Sequence, residues 1–211
     1  MFKYSEKTQA NITFKMLELF RTIKADKVIK SDAGNVVKVT LSNVLSPERT
    51  MMESSKNVQE IYIFDIELNS NKAPEKFLEA LNKSINFQTL IKLHYNNAVK
   101  YIVSIKIFNE EKIKILKTFE TDWQKEEFKE FPITNKLENV FKEMVCFITH
   151  YHFRQDEEFE DYVERLSNIK KCKSEIEKQT KTMNNEKQPN IRMKLNDEIK
   201  QMKKELQKLE G

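Results

Sequence analysis

The sequence predicts an α/β domain with a mixed five-stranded sheet and flanking helices, followed by a C-terminal antiparallel helical hairpin. Three observations lead to this prediction. The segment QEIYIFDIEL, residues Gln59–Leu68, is apolar on both of its alternating faces, which is typical of a central strand covered on two sides. A helical pattern and a second apolar run at Leu90–Tyr95 follow it, as in a strand–helix–strand crossover. Beyond residue 150, apolar residues recur at spacings of three and four, as in a coiled coil.

The N-terminal part is expected to supply one helix and two strands. Residues 6–24 carry apolar side chains at helical spacing, which predicts an amphipathic helix. The turn-forming residues Ser31–Asn35 separate a short predicted strand at Val28–Ile29 from a longer one at Val36–Val44. Pro47 ends the longer strand, and the polar residues that follow predict an exposed connection.

The middle of the chain completes the predicted sheet. Pro74 suits the first position of a helix that extends to Ile85 and forms the crossover. Asn96 and Asn97 favour a tight turn into a three-stranded meander. The remaining predicted elements are the strands Val99–Phe108 and Ile113–Phe119, the turn Asn109–Lys112 between them, and the helix Asn135–Thr149.

The tail differs in kind from the first 150 residues. Its two apolar seams run over Phe159–Met183 and Leu195–Leu209, with turn-forming residues and Pro189 between them. Residues 151–211 hold 14 basic and 13 acidic side chains of mixed sign, which indicates a solvated face. We therefore expect two domains, 1–150 and 151–211, the second an antiparallel hairpin. A continuous kinked helix used for dimerisation is the alternative.

Composition limits the functional classes. The 37 basic side chains nearly cancel the 33 acidic ones, and a net charge of +4 predicts at most indirect or weak contact with DNA. The two cysteines, Cys146 and Cys172, are expected to be reduced thiols. No apolar segment has the length of a signal region or a membrane span, so we expect a soluble cytoplasmic protein without membrane contact.

One acidic pair invites a catalytic hypothesis. Asp65 and Glu67 lie on one face of the central strand, and Asp32 precedes them, as in the restriction-endonuclease-like core that holds magnesium. In that core a lysine stands two residues after the second acid. The second acid here is Asp65, and the position two residues later holds Glu67 instead of lysine. A structural acidic pair is therefore favoured, and a divergent metal-dependent nuclease is the alternative.

Other candidate sites are weaker still. His150 and His152 flank a predicted domain junction and do not have the spacing of metal ligands on a helix, and His94 stands alone on a strand. With two glycines in the chain there is no glycine-rich phosphate loop, so we expect no cofactor and no metal. Trp123, at the end of the last predicted strand, is either core packing or an anchor for a partner.

Several short motifs resemble a bacterial family, domain-of-unknown-function family 4391. They are Leu45–Thr50, Val58–Leu68, Phe119–Trp123, and Glu186–Asn190 with its continuation to Ile199. The resemblance implies no catalytic residues. It does imply genes that lie near helicases and DNA methyltransferases in antiphage gene clusters similar to restriction systems.

From these features we expect a non-catalytic accessory subunit of a bacterial antiphage-defence or restriction-modification-like complex. The hairpin would contact a larger partner, for which the resemblance implies a helicase or DNA methyltransferase, or a second copy of the chain. The residues expected to bind that partner are Trp123, Glu186, Gln188, Asn190, Lys194 and Asn196.

Overall fold

The computed structural model describes residues 1–109 and 112–211. This part of the chain divides into two compact units, Met1–His152 and Phe153–Gly211, which are described separately below. Glu110 and Glu111, within the turn predicted between two strands, lie outside the described residues. No helix in the described residues combines the length and the apolar character needed to cross a bilayer.

Within the described residues, the first unit is built on a mixed sheet of seven strands, where the sequence predicted five. The strands follow the order β1-β2-β3-β4-β5-β6, and β7 also pairs with β5. Their bounds are β1 Gln9–Phe14, β2 Val36–Leu45, β3 Ile61–Leu68, β4 Gln88–Tyr95, β5 Ala98–Asn109, β6 Lys112–Glu120 and β7 Gln124–Lys125. The helices are α1 Met16–Thr22, α2 Lys27–Asp32, α3 Pro47–Thr50, α4 Glu75–Ser84 and α5 Leu137–Thr149.

Strand β3 is central, as the sequence predicted. It pairs antiparallel with β2 and parallel with β4, and α4 connects β3 to β4. Ile63 is 0% exposed and Phe64 is 3% exposed, on opposite faces of the strand. Phe64 belongs to the core beneath α1 and α4, together with Phe77 and Leu81. The strand is therefore covered on both sides, which explains why it is apolar on both faces.

Two predictions near the N-terminus are wrong. The helix predicted over residues 6–24 is instead strand β1 followed by α1, because β1 hydrogen-bonds to the edge of β2 and Asn11 adopts a left-handed conformation that breaks the helical path. The strand predicted at Val28–Ile29 is the helix α2, because the Asp26 carboxylate accepts the Ile29 N–H at 2.8 Å and caps that helix.

A buried polar network joins the end of α4 to the sheet. Asn82 donates to Ser104 Oγ and accepts from Thr89 Oγ1, each at 2.6 Å. Lys106 is 0% exposed, and its ammonium group donates to the carbonyls of Asn82, Ile85 and Phe87 at 2.9 Å each. These carbonyls lie at or just beyond the C-terminus of α4, where a cation is favoured. We call Asn82, Thr89, Ser104 and Lys106 the polar network.

The second unit is a hairpin of two helices, α6 Phe159–Asn185 and α7 Pro189–Glu210. The helices run antiparallel, since Arg165 donates to the carbonyl of Leu209 at 3.2 Å and the Cys172 thiol lies 3.5 Å from the carbonyl of Met202. The turn between Asn185 and Pro189 falls where the sequence predicted it. Within the described residues, neither Cys146 nor Cys172 forms a disulfide bond.

The base of the hairpin is closed by buried aromatic and charged side chains. Phe153 stacks on Tyr162 with a centroid distance of 3.7 Å. Arg165, only 6% exposed, forms two hydrogen bonds with Glu157 at 2.6 and 2.7 Å. Arg154 also donates to the carbonyls of Lys208 and Leu209. The two arginines therefore cap the C-terminus of α7, where carbonyl groups lack partners within the helix.

Candidate functional site

Asp32, the first acid of the nuclease hypothesis, caps a helix. It ends α2, and its Oδ2 accepts the backbone N–H groups of Lys76 and Phe77 at 2.8 and 3.1 Å. These are orphan donors in the first turn of α4, so the carboxylate stabilises the start of that helix. This role explains an acid at position 32 without invoking a metal.

Asp65 lies in a cluster of charged side chains on the sheet. Because β3 and β4 are parallel and in register, Asp65 is opposite Lys92 and Glu67 is opposite His94. Asp65 Oδ1 is 2.7 Å from Lys92 Nζ and 2.6 Å from His94 Nε2. The side chains of Asp65, Lys92 and His94 are 24%, 12% and 28% exposed, so they are partly shielded from water.

The pKa of Asp65 reflects this cluster. Burial raises the pKa, but the hydrogen bond with His94 and the charge of Lys92 outweigh burial and lower it to about 2. At neutral pH the group is therefore an ionised acceptor held by a cation. Such a carboxylate has no proton to donate, and one of its oxygens already has two partners.

Glu67 has a different environment. It pairs with Lys38 of β2 at 3.5 Å, and both side chains are about half exposed. The partners of the three acids Asp32, Asp65 and Glu67 thus lie on three different elements, α4, β4 and β2 respectively. Within residues 1–109 and 112–211, no three His, Cys, Asp or Glu side chains are grouped so that they could hold a metal ion.

Two tyrosines lie close to the Asp65 cluster. The hydroxyls of Tyr4 and Tyr101 are buried and have no hydrogen-bond partner among the described residues. Burial raises the pKa of both hydroxyls, and the negative charges of Asp65 and Glu126 raise it further. Tyr4, Lys92 and Glu126 also line a depression of about 430 Å³. Both phenols are therefore neutral at neutral pH, and Tyr4 lines a depression that also contains Lys92, a partner of Asp65.

Five of the six residues expected to bind a partner lie at or near the turn between α6 and α7. Glu186 follows the last residue of α6, and its Oε1 accepts the Gln188 N–H at 2.8 Å, which fixes the turn. Gln188, Asn190 and Lys194 are exposed, and Asn196 is half-buried. All five residues lie within the 22 residues 177–198, which we call the tip.

The tip contains no buried side chain. Every residue from 177 to 198 is exposed or half-buried, whereas the base of the hairpin buries Phe159, Tyr162, Arg165 and Ile169. Two apolar residues of the tip are exposed to a large extent, Ile191 at 41% and Met193 at 70%. The tip is therefore a helical surface whose apolar side chains find little cover within the hairpin.

Trp123 lies in the first unit, apart in sequence from the tip. Its indole N–H donates to the carbonyl of Asn71 at 3.0 Å, and its ring meets that of Tyr95 edge to face with a centroid distance of 6.3 Å. It is half-buried against the core. His150 ends α5 in a left-handed conformation, and its N–H donates to the carbonyl of Cys146.

Sequence reasoning missed the partners of Asp65 and two buried cations. The predicted parallel pairing of β3 and β4 indicated that residues of β4 lie beside Asp65. The exact register is needed to identify them as Lys92 and His94. Lys106 and Arg165 gave no signal, because buried basic residues are rare and their acceptors are backbone carbonyls or, for Arg165, the carboxylate of Glu157 just outside the helix.

Comparison with known proteins gives a family assignment. The model of the family "Domain of unknown function (DUF4391)" matches residues 25–206. Neither the curated proteins nor the solved structures gave a match. The match covers most of the chain, and the chain belongs to this family.

Proposed function

We propose that this chain is a non-catalytic accessory subunit that docks on a larger protein through the tip of its hairpin. The observation that carries the proposal is the absence of any buried side chain over residues 177–198, in a unit whose base is well packed. A pair of helices that extends beyond its own core offers a long surface for a partner.

The chemistry of the tip favours specific docking. Ile191 and Met193 supply exposed apolar contacts of the kind that become buried at the centre of an interface. Around them stand charged side chains of both signs, including Lys187, Lys194 and Glu198. Charges of mixed sign give specificity and correct register to an interface more than they give affinity.

The candidate acids of the first unit give little support to the nuclease alternative. Asp65, which is partly shielded, is held by Lys92 and His94, and the other two candidate acids cap a helix or form an exposed ion pair. The class of partner comes from the family resemblance alone, which implies genes near helicases and DNA methyltransferases. We therefore propose a helicase or methyltransferase subunit of a defence or restriction-like complex as the partner.

The test is co-purification of the tagged full-length chain with the neighbouring helicase or methyltransferase from the native host. We expect the double variant Ile191→Ser, Met193→Ser to reduce the recovered partner at least tenfold, which corresponds to roughly 1.4 kcal/mol of binding energy. The matched control is Leu17→Ser with Met51→Ser, which changes two apolar residues of the first unit that are 75% and 89% exposed. The control should recover the partner as the unaltered chain does.

Two outcomes would contradict the proposal. Equal recovery with both double variants would show that the tip does not dock. Light scattering that shows a dimer dissociated by the tip variant, with no partner recovered, would assign the tip to self-association.

The double variant Asp65→Ala, Glu67→Ala should leave partner recovery intact, and the purified chain should not cleave plasmid DNA with magnesium or manganese. Cleavage lost with Asp65→Ala would instead support the nuclease alternative.

A further inference from the structure

A groove lined by lysines runs along α2 and α4 in the first unit. It consists of two adjoining depressions of about 680 and 550 Å³, which share Val28 and Lys76 in their walls. Five lysines line it: Lys24, Lys27, Lys72, Lys76 and Lys83. We call this surface the lysine groove.

Most of these lysines have no acidic partner. Lys83 pairs with Glu79 across one turn of α4. The ammonium groups of the other four form no ion pair with any residue that the structure describes, and all four side chains are exposed. The lining holds five lysines and three acids, Asp26, Asp32 and Glu79, so the groove carries a formal excess of two positive charges that the whole-chain charge of +4 does not localise.

The two aspartates of the lysine groove are held at helix N-termini. Asp26 accepts the N–H of Ile29 at the start of α2, and Asp32 accepts two N–H groups at the start of α4. Each carboxylate thereby compensates the positive end of a helix, so it offsets less of the lysine charge. The groove keeps a positive surface although acids are present in its walls.

We propose that the lysine groove binds the phosphate backbone of double-stranded nucleic acid without reading its sequence. The four lysines that form no ion pair in the described part of the chain come from α2, α4 and the segments that precede these two helices, so they line both depressions and can contact several phosphates along a duplex. Ser31 and Ser70 add hydroxyls of the kind that also contact phosphate.

The lining of the groove argues against recognition of bases. No aromatic side chain lines either depression, and stacking on aromatic rings is the main way in which proteins hold unpaired bases. Neither α2, with six residues, nor α4 presents a row of arginines or amides for base edges. Contacts to phosphate alone give weak, salt-dependent binding, with dissociation constants of roughly 10⁻⁴ to 10⁻⁶ M at physiological salt.

The test is fluorescence anisotropy with a 20-base-pair DNA duplex over a series of salt concentrations. The variant has Lys24, Lys27, Lys72 and Lys76 each changed to Gln. We expect it to bind at least tenfold more weakly at low salt, and the slope of log affinity against log salt to fall by up to about 3.6, since each of the four phosphate contacts contributes about 0.9. The same four positions changed to Arg should retain the affinity, because the charge is kept.

The control removes the same charge elsewhere. Lys170, Lys171, Lys203 and Lys204 of the hairpin are all exposed, and their change to Gln lowers the net charge of the chain by the same amount. This control should bind the duplex as the unaltered chain does. Equal loss in both Gln variants, no loss in either, or no binding by the unaltered chain would overturn the proposal. Tighter binding to a single strand than to the duplex would also overturn it. Partner recovery is a separate measurement, so this proposal can fail while docking through the tip holds.

Discussion

Beneath α4 in the first unit, polar side chains are buried and joined to one another, whereas the tip of the hairpin buries no side chain. The polar network places an amide, two hydroxyls and an ammonium group inside the protein, and each has a partner. In the tip, every residue is exposed or half-buried. Side chains of the same types therefore stabilise the fold in the first unit and form a surface in the tip.

The difference shows where stability resides. A buried polar group is costly unless its hydrogen bonds are made, so the polar network favours one arrangement of α4 on the sheet. The tip has no such constraint, and its side chains can change with little effect on folding. Residues in the first unit should therefore be sensitive to substitution, while those in the tip should matter only when a partner is present.

The largest expected effect is that of Phe64→Ala. Phe64 is 3% exposed and packs in the core of the first unit, so its loss should reduce the free energy of unfolding by roughly 3–5 kcal/mol. Chemical denaturation of the two proteins measures this. Met193→Ala in the tip, where the side chain is 70% exposed, should change the same quantity by less than about 0.5 kcal/mol. Similar losses for both variants would remove the contrast between the regions.

Lys106→Met should have the next largest effect. Burial lowers the pKa of Lys106 to about 7, and three carbonyl groups accept hydrogen bonds from its ammonium group. Met has a similar length but no donors, so these carbonyls would lose their partner, and we expect a loss of about 3 kcal/mol in thermal or chemical unfolding. Lys181→Met in the tip is the matched control and should be nearly neutral. A neutral effect of Lys106→Met would mean that the polar network does not fix α4.

Acid should weaken the first unit through Asp65. The folded pKa of about 2 lies below the ordinary value of 3.8, so this carboxylate contributes stability above pH 4, and the contribution is lost as the pH falls toward 2. The contribution amounts to about 2 kcal/mol. Denaturation at a series of pH values should therefore show the difference between the unaltered chain and Asp65→Asn shrinking from pH 5 to pH 2. A difference that stays constant over this range would show that Lys92 and His94 do not depress the pKa of Asp65.

The central sheet could be predicted because its signals are continuous along the chain. The strand β3, the connecting helix α4 and the meander of β4, β5 and β6 each follow from a pattern within one segment. The N-terminal strand β1 could not be predicted in this way. Its apolar residues fit a helix equally well. The segment forms a strand because it pairs with the edge of β2, and that edge exists only in the folded sheet.

The candidate sites were predictable to different degrees. The seam and the turn of the hairpin follow from heptad spacing and Pro189. The absence of buried side chains between Ile199 and the turn does not follow from these patterns, because it depends on how closely α6 and α7 approach each other. The cluster at Asp65 and the lysine groove are formed by residues from different elements, so their composition depends on strand register and helix position, which local patterns do not contain.

The smallest expected effect is that of Pro189→Ala at the start of α7. Proline suits the first position of a helix, and its loss slightly increases the freedom of the unfolded chain, so the two proteins should differ by less than about 1 kcal/mol in chemical denaturation. The hydrogen bond from the Gln188 N–H to the Glu186 carboxylate remains and keeps the turn in place. Ile199→Ala, where the side chain is 4% exposed, is the comparison within the same helix and should lose roughly 2 kcal/mol. If Pro189→Ala proved as damaging as Ile199→Ala, the tip would carry part of the stability of the hairpin, and its exposed side chains could no longer be explained by docking alone.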